Sequence, residues 1–408
     1  MPKREIGAAV LASIVATLAL WLAPGLATAS VPATSTAAGG SFYEAPARLP
    51  RRPGTLLRYE SFVAGVPPGG LAWRILYTTT RADGSETVAS AVVLAPAAAG
   101  SGTPLPLIAW AHGTTGVAGA CAPSLLGGNS PFYAGIPSVE AVLHEGWALV
   151  ATDYPGLGTA GPTPYLQGSG EARSVLDSIR AAHDLPTVRL SKRTVLWGHS
   201  QGGQAVLWSG IVGPDYAPDV RIAGIAAIAP VSGLGMLTGA LGDSPTGQVL
   251  RAYMLSSYAS AYPDLSLEAQ TAPGGAVLVR ALAERCLEGP QPAVPYLEAL
   301  PAPGPPLFPP GPITGAWADR LRQNVPSRLI AAPLLIAQGL EDGLAGEQQR
   351  YVEQRCAAGQ RLEYRTYAGL GHTSIDEDGS PLIGDLLTWT GRRFGGSRRP
   401  SGCSTVAR

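Results

Sequence analysis

Apolar and polar positions alternate along residues 71–80 and again along 87–95, with Asp83-Gly84 between the two runs. A period of two on both sides of an Asp-Gly pair predicts a β-hairpin. Residues 105–111 are apolar without a break, as in a strand buried on both faces. The pattern then repeats as strand, loop and helix. Residues 138–145 read as a short helix and 147–152 as a strand. Within 171–184, Ala172, Val175, Leu176, Ile179 and Ala182 recur at helical spacing. A strand at 194–197, a helix at 201–212 and an apolar strand at 222–231 follow. The series resumes with a strand at 333–338, a helix at 346–357, a strand at 361–367 and a helix at 381–394. This alternation predicts an α/β fold with a mainly parallel sheet and helices on both faces.

The interruption, residues 233–327, is too long for an ordinary connection between core strands. It is rich in Pro and Gly, with helical stretches at 247–259 and 276–287, and it reads as a cap inserted over the C-terminal edge of the sheet. The core is then 55–232 and 328–396, with a tail at 397–408. Met254, Leu255, Tyr258, Tyr262, Leu297 and Phe308 suit either the wall of an apolar pocket or the cap's own core.

Composition narrows the class. The chain has 408 residues, 46% of them hydrophobic, and its formal net charge is zero. That supports a large core and speaks against nucleic acid, whose phosphates need a basic face. Lys3-Arg4, an apolar run over 6–22, Pro24-Gly25 and the small residues Ala27-Thr28-Ala29 have the form of a cleaved signal peptide at 1–29. The expected mature protein is secreted, begins with a linker or N-terminal arm at 30–54, and has no integral membrane segment. The four cysteines, Cys121, Cys286, Cys356 and Cys403, form no Cys-x-x-Cys and have no His at ligand spacing, so no metal is expected. An even count in an oxidising compartment predicts two disulfides, for which three connectivities exist. The expected pairing is Cys121 with Cys286 and Cys356 with Cys403, the second tying the tail to a helix.

The candidate chemistry centres on Gly198-His199-Ser200-Gln201-Gly202. A Gly-x-Ser-x-Gly between a strand and a helix is a nucleophile elbow, in which Gly198 and Gly202 clear space for a sharp turn and Ser200 is held at the rim of the sheet. A serine hydroxyl needs an adjacent base. Of the five histidines, His372 follows the last strand, where functional groups of an open α/β sheet collect. His112 precedes Gly113 in a loop, His144 and His183 lie on helices, and His199 is expected to point away from the nucleophile's side. Asp342, after the 333–338 strand, is the expected carboxylate partner of His372, with Glu341 as the second choice. Asp376 and Asp378 read as a polar turn and Asp153 as a structural carboxylate. The oxyanion donors are expected to be the Gln201 N–H and the Thr114 N–H, with Thr115 as the fallback to Thr114.

These motifs resemble those of the secreted lipases and esterases of the α/β-hydrolase superfamily, particularly bacterial relatives of the fungal secretory lipases. The likeness rests on residues 111–116, 153–158, 198–203, 339–342 and Gly371-His372. It implies the α/β-hydrolase fold, with an inserted cap domain and the chain order Ser200, Asp342, His372. It also implies hydrolysis of carboxylic esters, often acylglycerols, without cofactor or metal, and with contact to a lipid–water interface. Its two-disulfide arrangement supports the pairing given above. A peptidase or an acyltransferase would use the same triad, and a non-catalytic binding protein could keep the same scaffold. The motifs do not separate lipase from esterase.

Overall fold

The run Leu105–Ala111 becomes β4, at the middle of the sheet. The computed structural model describes residues 40–98, 102–125, 135–233, 244–289, 291–300, 306–397 and 400–408. The segments expected to be the signal peptide, 1–29, and the start of the arm, 30–39, lie outside the described residues.

Among the described residues the chain forms one sheet. Its strands are β1 (Leu56–Phe62), β2 (Gly70–Thr80), β3 (Glu86–Pro96), β4, β5 (Ala148–Thr152), β6 (Leu190–His199), β7 (Arg221–Ile228), β8 (Leu334–Gly339), β9 (Leu362–Tyr367) and β10 (Cys403–Ala407). The order across the sheet is β1-β2-β3-β5-β4-β6-β7-β8-β9-β10. β1, β2 and β3 run antiparallel, and every pair from β5 through β10 is parallel. The strand order turns back at β4, with β5 on one side and β6 on the other. A crevice therefore opens at the C-terminal ends of β4 and β6, where α/β sheets bind ligands.

Helices cover both faces because the strands are apolar on both. Val175 and Ile179 of α2 (Gly168–His183) and Leu207 and Ile211 of α3 (Gln201–Tyr216) join one core with Ile75, Ala109 and Leu196. On the other face, Val142 of α1 (Val139–His144) and Leu386 and Trp389 of α9 (Pro381–Phe394) pack with Ile108, Val195 and Trp197. α8 (Ala345–Ala357) links β8 to β9.

The insertion contains α4 (Pro245–Ala261), α5 (Gly275–Ala283), α6 (Ala293–Glu298) and α7 (Gly315–Gln323). It builds a core of its own. Met254, Leu255 and Tyr258 are fully buried there with Phe308, while Tyr262 and Leu297 pack against its edge. These residues form the interior of the insertion.

Two stretches differ from the sequence reading. Residues expected to be a free arm include Tyr43, which is fully buried with its hydroxyl 2.6 Å from Ser124 Oγ. The expected tail supplies β10, an edge strand parallel to β9. Both disulfides pair as expected, Cys121 with Cys286 and Cys356 with Cys403. The first fastens the loop after β4 to the insertion, and the second holds β10 against α8.

Candidate active site

The elbow is a steric necessity of the local sequence. Ser200 has φ 56° and ψ −114°, outside the conformations that side chains favour. It is held there by its own backbone, since Ser200 N–H donates to Ile228 O and Val231 N–H donates to Ser200 O. A Cβ at Gly198 would lie 2.2 Å from Gly202 O, and one at Gly202 would lie 1.8 Å from Ala111 O. Only glycine permits the strand, the turn and α3 to approach this closely.

The residues expected to act together are brought together. His372 Nε2 is 2.9 Å from Ser200 Oγ, and His372 Nδ1 is 2.7 Å from Asp342 Oδ2. These groups are 172 and 30 residues apart in sequence. Asp342 also accepts from Gln338 Nε2 at 2.7 Å and from the Leu344 N–H at 2.9 Å. Burial pushes the Asp342 carboxyl upward, but the hydrogen bond and charge of His372, with the Leu344 and Gln338 donors, outweigh it and leave it below the usual range. An ionised Asp342 fixes the proton of neutral His372 on Nδ1 and leaves Nε2 to accept from Ser200. The loops carrying the two groups are tied by Glu341 N–H to Leu370 O at 2.9 Å and Leu340 N–H to Tyr367 O at 2.9 Å. Glu341 is exposed, and it is Asp342 that reaches His372.

Gly113, Thr114 and Thr115 line a cavity of about 390 Å³ together with Ser200 and His372. Trp110, Pro123, Leu250 and Leu287 give it apolar wall, and Thr246, Glu288, Thr373 and Glu377 give it polar wall. Gly113 passes close to the nucleophile, since a Cβ there would lie 3.8 Å from Ser200 Cβ. Thr114 Oγ1 is 3.0 Å from Tyr165 Oη. Thr115 O accepts from Leu287 N–H at 2.8 Å, so this loop is tied to the insertion.

His199 and Asp376 differ from the sequence reading. His199 does not turn away: its ring centroid is 4.9 Å from that of His372, and its Nε2 is 2.8 Å from His372 O. Nε2 must be protonated to donate to that carbonyl, so Nδ1 of neutral His199 is an acceptor. Asp376 Oδ2 lies 3.4 Å from this Nδ1. Burial, then the nearby His372, lowers His199 to about 3, while burial raises Asp376 to about 7. Asp376 is buried and lines the cavity instead of projecting from a polar turn. Neither contact had a signal in the local sequence, because both depend on how the loop after β9 folds over the elbow. His112 is structural: Nδ1 is 2.6 Å from Gly113 O and burial lowers it to about 4. Asp153 is also structural, accepting from Ser90 Oγ at 2.6 Å and Ser124 N–H at 2.9 Å.

Solved structures settle the fold. The chain aligns with Candida antarctica lipase A in its closed state over 90% of its own length and 89% of that chain, with a TM-score of 0.73 and 19% identity. The chain has the α/β-hydrolase fold. Its residues 134–291 match the secretory lipase family, which it resembles as the motifs imply. It is 33% identical to a probable inactive lipase of Mycobacterium tuberculosis over 207 residues, 48% of this chain and 46% of that relative. It is 25% identical to lipase 6 of Candida albicans over 288 residues, 65% of this chain and 59% of that relative. The matched region thus spans about half the length of these relatives.

Proposed function

We propose that this α/β-hydrolase is a secreted serine hydrolase of carboxylic esters, acting on acylglycerols or other lipid-like esters. The observation that carries the reading is the hydrogen-bonded line Ser200–His372–Asp342 at the wall of the cavity. Ser200 Oγ attacks the ester carbonyl as His372 Nε2 takes its proton. The Gln201 N–H, at the N-terminus of α3, and the Thr114 N–H bind the oxygen as it becomes negative. His372 returns the proton to the leaving alcohol, and Ser200 keeps the acyl group. Water then attacks the acyl-enzyme, giving its proton to His372, and the fatty acid leaves with Ser200 restored. Asp342 holds His372 and stabilises its charged form throughout. No step needs a metal or cofactor.

Secretion is supported by the amino-terminal apolar run, by the two disulfides and by similarity to the secretory lipase family. The relative named as inactive raises a second reading, a scaffold without turnover. The complete line of hydrogen bonds favours the active one. Hydrolysis of p-nitrophenyl butyrate, octanoate and laurate by wild type and Ser200→Ala tests this. Turnover by wild type and a loss of at least about 1,000-fold in the variant are expected. Equal rates in the two would remove Ser200 from the chemistry.

A further inference from the structure

Gln201 opens α3 directly after the nucleophile. It lies between Ser200, whose backbone is strained, and the glycines Gly202 and Gly203. Its side chain supplies an anchor: Gln201 Nε2 donates to Glu171 Oε1 at 2.7 Å. The same Oε1 accepts the Leu166 N–H at 3.0 Å. Glu171 is fully buried in the first turn of α2. At the other end of this short run, Tyr165 Oη lies 3.0 Å from Thr114 Oγ1. The two expected oxyanion donors, brought from β4 and β6, are therefore both tied to residues 165–171.

That run is itself fixed by the insertion. Leu166 has φ 57°, a left-handed conformation that needs outside support. Its carbonyl accepts from Tyr258 Oη of α4 at 2.9 Å. Gln167 Nε2 donates to Ser257 Oγ of α4 at 2.8 Å. Tyr165 meets Tyr253 of α4 edge to face, with ring centroids 6.2 Å apart.

We propose that residues 165–171 form a brace behind the oxyanion site, in which Glu171 positions Gln201 and Tyr165 positions Thr114, and that Glu171 does so as a neutral acid. The inference rests on the ester-hydrolase reading and extends it. Glu171 touches no substrate, so it is a positioning residue. A neutral carboxyl accepts both N–H groups through Oε1 without placing charge behind the donor. An ionised one would put a negative charge beside the oxygen that becomes negative in the transition state.

Burial raises Glu171 to about 8, against the smaller opposing effect of the Gln201 and Leu166 hydrogen bonds. The titratable groups around it are phenols: Tyr154 after β5, Tyr165 before α2 and Tyr258 on α4. Burial pushes all three above the ordinary phenol value, so they stay neutral where Glu171 titrates. α3 presents the uncharged Gln201. As pH rises through about 8, Glu171 becomes charged and turnover falls.

The test is p-nitrophenyl butyrate kinetics of wild type, Glu171→Gln and Glu171→Leu from neutral to alkaline pH. Glu171→Gln keeps a neutral acceptor, so its neutral-pH kcat stays within about twofold of wild type and its alkaline fall disappears. Glu171→Leu loses at least about tenfold in kcat with KM little changed, a fraction of the 100- to 1,000-fold typical for a lost oxyanion donor. An alkaline limb shared by wild type and Glu171→Gln overturns the neutral-acid brace, as does a fully active Glu171→Leu. If the leucine variant does not fold, the two alkaline limbs decide alone. A wild type that neither turns over esters nor takes a fluorophosphonate on Ser200 overturns the ester-hydrolase reading and the brace with it. A competent wild type with contrary variants overturns the brace only.

Discussion

Ser200 keeps a backbone conformation that costs on the order of 1–3 kcal/mol, held by the Ile228 and Val231 hydrogen bonds. The benefit is the position of its hydroxyl, 2.9 Å from His372 Nε2. Ser200, Asp342 and His372 were legible because each follows a strand that its apolar pattern marks, and such loops carry function in this class of sheet. Choosing Asp342 over Glu341 was a question of direction, and the structure turns Asp342 inward while Glu341 faces solvent. Asp342→Asn should lower kcat by about 10,000-fold, through loss of the tautomer that activates Ser200. Glu341→Gln should remain within about threefold of wild type. Ester kinetics on the two purified variants would check both, and a reversed ranking would move the acid to Glu341. His199 and Asp376 were not legible, since His199 meets His372 across 173 residues of chain and Asp376 meets His199 from a buried turn.

Among the elements, the parallel strands and their helices were readable from periodicity, with ends shifted by a few residues. Strands β1 and β10 were not. Leu56–Phe62 mixes apolar residues with Arg58, Tyr59 and Glu60, and Cys403–Ala407 is almost wholly exposed. An edge strand buries little, so its sequence need not alternate. What holds β10 is pairing with β9 and the Cys356–Cys403 bond, which closes a sequence separation of 47. Loop-closure entropy gives such a bond up to about 4 kcal/mol. Cys403→Ser, made with Cys356→Ser to avoid a free thiol, should therefore lower the melting temperature while leaving ester turnover at room temperature near wild type. Circular-dichroism melts would show this, and an unchanged melt would mean that the Cys356–Cys403 bond contributes nothing to stability. At the elbow, the 1.8 Å approach of a Gly202 Cβ to Ala111 O leaves no room for even Gly202→Ala.

At the scale of the whole molecule, the insertion lies where the sequence order puts it, between β7 and β8, and part of it reaches the cavity. Its large apolar residues serve mainly its own core, which the sequence could not distinguish from a pocket wall because both demand the same residue types. Leu250 on α4 and Leu287 beyond α5 pack against that core and also line the cavity. The cavity holds about 390 Å³, and Leu250 forms part of its wall. Leu250→Ala should shift kcat/KM from butyrate toward laurate esters, and Leu250→Phe should shift it toward butyrate. The ratio of the two esters in each variant measures this. Identical ratios in all three proteins would place the acyl chain elsewhere.

In the proposed reaction Ser200 becomes acylated because His372 and Asp342 activate it. The most direct measurement is active-site labelling with a fluorophosphonate, followed by intact mass and peptide mapping. One phosphonyl group per chain is expected, on Ser200, with no labelling of Ser200→Ala and strongly slowed labelling of His372→Ala. A protein that stays unlabelled, or one labelled at another residue, would contradict it.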